Sequence, residues 1–208
     1  MTTLLQLNAS LFESGGQSSR LVQRYVDAWR LAHPGSPVIV REVGGDAVPH
    51  LTQERFQAFL AQPDARTPGQ QAIAGFSDTL VDELRAADTI VLGLPLYNFG
   101  VPSSLKAYFD HVARAGVTFR YTERGPVGLL TGKKAIVVAT RGGKSAGTPV
   151  DSQTGFVRDF LHFLGIEDVT FVYAEGLAMG DAARDEALER AQRTIDALAI
   201  TGEERLAA

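Results

Sequence analysis

The stretch TIVLGLPLYNFGVP, residues 89–102, decides the fold. Its first six residues form a continuous apolar run with no polar alternation, the pattern of a strand buried on both faces. Pro95 ends the strand, and Leu105, Tyr108, Phe109, Val112 and Ala113 then repeat at helical spacing. Upstream, residues 3–9 (TLLQLNA) read as a first strand. Leu21, Val22, Tyr25, Val26 and Trp29 share a helix face, and residues 38–43 (VIVREV) form a second strand. Thr67-Pro68-Gly69-Gln70 has the form of a helix start, with an N-cap Thr, Pro at the first helical position and Gln three residues after the cap. It opens a helix to about Ala87. Downstream come a fourth strand at 134–140 (KAIVVAT), a helix face through Phe156, Val157, Phe160, Leu161 and Leu164 stopped at Gly165, a fifth strand at 169–174, and a last helix over 182–199. Five buried-type strands alternating with helices predict an α/β fold, a doubly wound five-stranded parallel sheet with helices on both faces and right-handed crossovers. Residues 44–68 interrupt the alternation, with a short helical piece near 52–60, and are expected to serve as a lid or an interface element.

Composition narrows the function. At 208 residues, against a prior of about 150 per domain, residues 1–208 are expected to form one domain. The absence of cysteine excludes disulfides, thiolate-held zinc, iron–sulfur clusters and a thiol nucleophile. A net charge of −4 offers no electrostatic footprint for nucleic acid. No apolar run approaches the roughly 18 residues needed to cross a membrane. The first basic residue is Arg20, so no secretory signal is expected and a cytoplasmic location is. His33, His50, His111 and His162 show no metal-ligand spacing, and the acidic stretch 181–204 reads as a solvated helix face.

In an open parallel sheet, ligands bind beyond the carboxyl ends of the strands, where the strand order reverses direction. Three loops leave such ends. The first, SLFESGGQSS at 10–19, joins a strand to a helix N-terminus, whose free N–H groups favour phosphate. Hydroxyls of Ser10 and Ser18 and the Gln17 amide complete such a cradle, although a plain N-cap turn has the same composition. The loop has no Lys and no G-x-G-x-x-G, which argues against triphosphate and dinucleotide sites. The second loop, PLYNFGVP at 95–102, places aromatics after the strand, where they suit a flat ring or pack on the sheet edge. The third, TRGGKSAG at 140–147, imitates a P-loop and a G-x-S-x-G elbow. Position 138 is Val where the first needs Gly, and Pro149 follows too closely for the second. Backbone N–H groups of Arg141-Gly142-Gly143, with the cation near, are its better use. A phosphate cradle, an aromatic loop and a glycine turn at neighbouring strand ends fit FMN, with sheet order 2-1-3-4-5 and the cofactor between strands 1 and 3.

Residues 95–110 (PLYNFGVPSSLKAYFD) and 112–122 (VARAGVTFRYT) strongly resemble the FMN-dependent NADH-azoreductase family. The likeness continues through 132–135 (GKKA), 141–143 (RGG), 160–166 (FLHFLGI) and 174–176 (AEG). It implies a flavodoxin-like fold, noncovalent FMN, NADH as electron donor, a homodimer, and reduction of quinones and aromatic azo compounds. Hydride would pass through flavin N5 in ping-pong fashion. Matched by position, Ser10, Gly16, Gln17 and Ser18 correspond to the phosphate contacts, Pro95, Leu96, Tyr97, Asn98 and Phe99 to the flavin-ring loop, and Thr140, Arg141, Gly142 and Gly143 to the second ring-edge loop. Gly16 stands where the family often has serine, Leu96 where it has Met, and Thr140 where it has Ser. Residues 144–148 also depart from the pattern, beside the expected substrate mouth. No residue is assigned as catalytic, because the flavin carries the chemistry. Phe119, Tyr121 and Phe163 are expected to wall the substrate pocket, completed by the partner chain, with core or dimer packing as the alternative use. The rival reading is a flavodoxin-type electron carrier without NADH activity; a general quinone or flavin reductase and a flavin-free interaction domain are the others.

Overall fold

The structure, a computed structural model, describes residues 1–201, apart from the side chains of Ile200 and Thr201; residues 202–204 of the acidic stretch lie outside the described residues. Five parallel strands form the main sheet: β1 (Leu4–Asn8), β2 (Val38–Glu42), β3 (Thr89–Pro95), β6 (Lys134–Arg141) and β7 (Asp168–Glu175). Their order is β2-β1-β3-β6-β7, the order expected from the sequence. The described residues form six α-helices: α1 (Gln17–Ala32), α2 (Gln53–Leu60), α3 (Pro68–Ala86), α4 (Ser103–Val112), α5 (Thr154–Phe163) and α6 (Asp181–Thr201).

Side-chain direction alternates along every strand, and in the central strands β3 and β6 both directions are mainly apolar. Leu5, Leu7, Ile90, Leu92, Ala135 and Val137 enter the core shared with α3, α4 and α5. Leu4, Val91, Ile136 and Val138 enter the core shared with α1 and α6. Each such Leu or Ile, fully buried, contributes about 1.5–3 kcal/mol. Gly93 is the exception inside β3, and its reason is steric. A Cβ there would meet Val22 at 3.3 Å and Ser18 at 3.4 Å, so the missing side chain lets the first turns of α1 lie close on the sheet.

The start of α3 forms as its sequence predicts: Thr67 and Gln70 make a reciprocal capping box, with Pro68 at the first helical position. Residues 44–68 are anchored. Their α2 packs on α3, and the Pro49 carbonyl lies 3.0 Å from Nε2 of the buried His111.

An antiparallel hairpin, β4 (Phe119–Thr122) with β5 (Gly125–Gly128), departs from the sequence reading, which has no strands there. Its base presses on the end of α5. A Cβ on Gly128 would stand 2.1 Å from the Gly165 backbone nitrogen, so two glycine backbones meet where no side chain fits. The Leu130 N–H donates to the Leu164 carbonyl at 2.8 Å and pins the exit strand.

Candidate functional site

The sheet register brings three loops to one edge. Asn8 at the end of β1 pairs with Gly93 in β3, and Pro95 at the end of β3 pairs with Thr140 in β6. The chain therefore leaves β1, β3 and β6 side by side, at the switch point between β1 and β3. The loops are also bonded to one another. The Tyr97 hydroxyl accepts the Leu11 N–H at 3.3 Å and lies 3.5 Å from Ser10 Oγ. The Leu96 N–H donates to the Thr140 carbonyl at 3.0 Å.

At the first loop, α1 starts from Gly16, which supplies no side-chain cap. Ser10 is buried and its hydroxyl accepts the Phe12 N–H. Gly16 is glycine for a local reason: a Cβ there would stand 2.1 Å from Ser10 Oγ. The hydroxyls of Ser18 and Ser19 are buried and find no partner among the described residues. Buried polar groups are normally paired, so two orphan hydroxyls at an uncapped helix N-terminus fit a bound anion such as the FMN phosphate. Gln17, half-buried, begins the same helix.

In the second loop, Tyr97 and Gly100 exchange backbone hydrogen bonds around Asn98 and Phe99, whose φ angles are 49° and 62°. Two consecutive left-handed residues make the geometry of a type I′ turn, normally built with glycine. Placing Phe there costs about 1–2 kcal/mol. Pro95 is buried, Leu96 and Tyr97 half-buried, and Asn98 and Phe99 exposed. With Leu11 and Phe12, Phe99 leaves an apolar fringe open to solvent at this edge.

In the third loop the Arg141 side chain is 1% exposed and turns inward, away from the loop edge. Its guanidinium bonds Asp151 at 2.8 Å, Glu175 at 3.3 Å, Ser145 Oγ at 2.9 Å and Thr154 Oγ1 at 3.1 Å. Burial pushes the Asp151 carboxyl up, but hydrogen bonds from Arg141 and Thr154 and the Arg141 charge outweigh it and hold the group well below the usual carboxylate range. Glu175 also accepts the N–H groups of Ser145 and Ala146 at 2.8 Å. Thr140 is buried at the strand end, and what this turn leaves exposed is the backbone of Gly142 and Gly143. Ser145 belongs to this charge network, which removes the elbow motif as a nucleophile.

Phe119, Tyr121 and Phe163 do cluster. The Phe119 ring lies 4.3 Å from Phe163 and 5.4 Å, edge-on, from Tyr121. Phe119 is buried, Phe163 half-buried and Tyr121 exposed. The cluster sits at the end of α5 that leads away from the three loops, about 15 Å along a helix of 10 residues. Within one chain it is not a wall of the loop site.

Sequence reasoning missed Asp151, Ser152, Gln153 and Glu175. Glu175 stands beside Arg141 in the register of two neighbouring strands, a pairing that only the fold reveals. Gln153 carried no signal, since a lone amide before a helix is ordinary. No group of three or more His, Asp or Glu able to hold a metal occurs among the described residues.

Fold and topology together define a flavodoxin-like protein with three loops gathered at the β1/β3 switch point. A family model described as a flavodoxin-like fold matches residues 2–199. An FMN-dependent NADH:quinone oxidoreductase of Burkholderia pseudomallei is 54% identical over 198 residues, covering 95% of this chain and 100% of that one. Its counterpart in Cellvibrio japonicus is 50% identical over 196 residues, covering 94% and 98%. A crystal structure of an FMN-dependent NADH-azoreductase from Bacillus anthracis, in complex with FMN, superposes with a TM-score of 0.86 at 28% identity, covering all of both chains. The chain belongs to the family of FMN-dependent NADH:quinone oxidoreductases and azoreductases.

Proposed function

We infer that this protein is an FMN-dependent NADH:quinone oxidoreductase that also reduces aromatic azo compounds. The observation that carries the reading is the convergence of three loops at one sheet edge around an uncapped helix end with orphan hydroxyls. When bound, FMN supplies two-electron hydride acceptance and donation. The residues of this chain bind and orient it. The α1 N-terminus with Ser10, Gln17 and Ser18 holds the phosphate, Gly16 leaving room beside Ser10. Pro95 to Phe99 form the seat along the ring. Backbone N–H groups of Gly142 and Gly143 provide fixed dipoles at the far ring edge, where negative charge is best stabilised by preorganised donors. Thr140 fixes the spacing between the two ring loops through its carbonyl. The sequence neighbours of this chain carry oxidoreductase names, which disfavours the electron-carrier reading.

Phe119, Tyr121 and Phe163 act from a second copy of the chain. Support comes from the hollow of about 350 Å³ beside Phe119 and Tyr121, where the partly exposed Leu51, Phe56 and Leu60 stand next to Asp110 and Arg114. Apolar side chains left open in this number suit an interface. The homodimer is tested by sedimentation.

The activity is tested by spectroscopy. Purified protein is expected to be yellow or to take up FMN, to bleach with NADH without oxygen, and to regain colour with menadione or an azo dye. A protein that binds no FMN refutes the reading; one that binds FMN but ignores NADH restores the carrier.

A further inference from the structure

Gln153 stands between the two ring loops and belongs to neither. It is fully buried at the N-cap of α5. Its side-chain amide nitrogen donates to the Pro95 carbonyl at 2.9 Å and to the Gly100 carbonyl at 3.0 Å. The Pro95 carbonyl ends β3 and the Gly100 carbonyl ends the left-handed turn, so both amide protons are spent on framing one loop. The preceding Ser152 hydroxyl donates to the Phe99 carbonyl, inside the same turn. The residue before that is Asp151, which bonds Arg141 and also accepts the N–H groups of Gln153 at 3.3 Å and Thr154 at 3.1 Å. One continuous path of hydrogen bonds thus runs from the end of β6, through Arg141 and Asp151, to both ends of the turn after β3.

We propose that Gln153 is a positioning residue of the flavin seat, holding the Asn98–Phe99 turn in its left-handed shape and fixing it relative to the Gly142–Gly143 turn. The physical ground is the cost of the turn. Left-handed non-glycine residues persist only where their surroundings over-determine them. Here the over-determination comes from three side-chain hydrogen bonds supplied by two adjacent residues. With the Gln153 donors removed, the Pro95 carbonyl loses a buried partner and the Gly100 carbonyl keeps only the Tyr97 N–H, so the turn relaxes toward an ordinary conformation. The distance between the two ring loops is then no longer set.

The proposal rests on the FMN reading and is tested separately from it. Gln153→Met keeps length and bulk and removes both donors; Ser152→Ala removes the third. Apoprotein is titrated with FMN by fluorescence quenching, and the bound flavin is measured by visible circular dichroism and midpoint potential. Gln153→Met is expected to weaken FMN binding about tenfold or more and to change the dichroism and potential of the flavin that still binds. Ser152→Ala is expected to shift the same quantities by a smaller factor, and it carries the test alone if Gln153→Met does not fold. Unchanged affinity, dichroism and potential in the folded variants, with only a lower melting temperature, would make Gln153 a plain structural residue and overturn the proposal. Wild-type protein that takes up no FMN refutes the FMN reading instead.

Discussion

Replacing Asp151 with Asn leaves the shape of the corner and removes one charge from it. Arg141 is 1% exposed at its side chain, Asp151 6% and Glu175 15%, so the guanidinium stays buried with one carboxylate instead of two. Breaking a buried pair by removing one partner costs about 3–5 kcal/mol. Glu175 remains at 3.3 Å and the Asn oxygen still accepts a hydrogen bond, which places the expectation near the lower end, about 3 kcal/mol. For a chain of this size that lowers Tm by about 6–12 °C. The assay is urea and thermal unfolding of both apoproteins at one protein concentration. The pH dependence gives a second check. The Asp151 carboxyl is depressed in the folded state, so its contribution is present above the ordinary carboxylate value and fades as pH falls below it. The gap between wild-type and Asp151→Asn should narrow as pH drops below about 4. A gap under about 1 kcal/mol at neutral pH, or one that does not narrow in acid, would refute the account of Arg141 as a buried, doubly paired cation.

Three further outcomes are expected. Ser18→Ala removes a hydroxyl left for a charged ligand, worth about 1.5–3 kcal/mol, so the FMN Kd should rise roughly tenfold to a hundredfold; an unchanged Kd would take Ser18 out of the cradle. Gly128→Ala forces a Cβ into the Gly165 backbone, and the hairpin should lift from α5 at a cost of about 2–4 kcal/mol; a neutral effect on Tm would show that the two backbones can part freely. Phe163→Ala should raise KM for a bulky azo dye more than for a small quinone, and equal changes for both would remove Phe163 from the pocket.

The sheet was legible because its central strands β3 and β6 are buried on both faces and announce themselves as apolar runs; Thr67 to Gln70 likewise declared a helix start that the structure reproduces. The hairpin was less visible. FRYT alternates over only four residues, and its docking depends on Gly128 meeting Gly165, a contact between distant parts of the chain. The three loops could be placed on one edge from topology alone. The direction of Arg141 could not, because a cation after a strand reads as a ligand contact unless its buried partners are known. Asp151 lies ten residues on and Glu175 on another strand, and neither is marked by composition. Gln153 was invisible for the same reason: its role lies in which carbonyls it reaches.

The way Glu175 holds residues 144–148 separates two kinds of freedom. Its carboxylate grips main-chain N–H groups of Ser145 and Ala146, a hold that most side chains at these positions would leave intact. Arg141, Asp151 and Glu175 must change in concert or not at all. The side chains of Lys144 and Ala146 can therefore vary in size and polarity while the floor beneath them stays put.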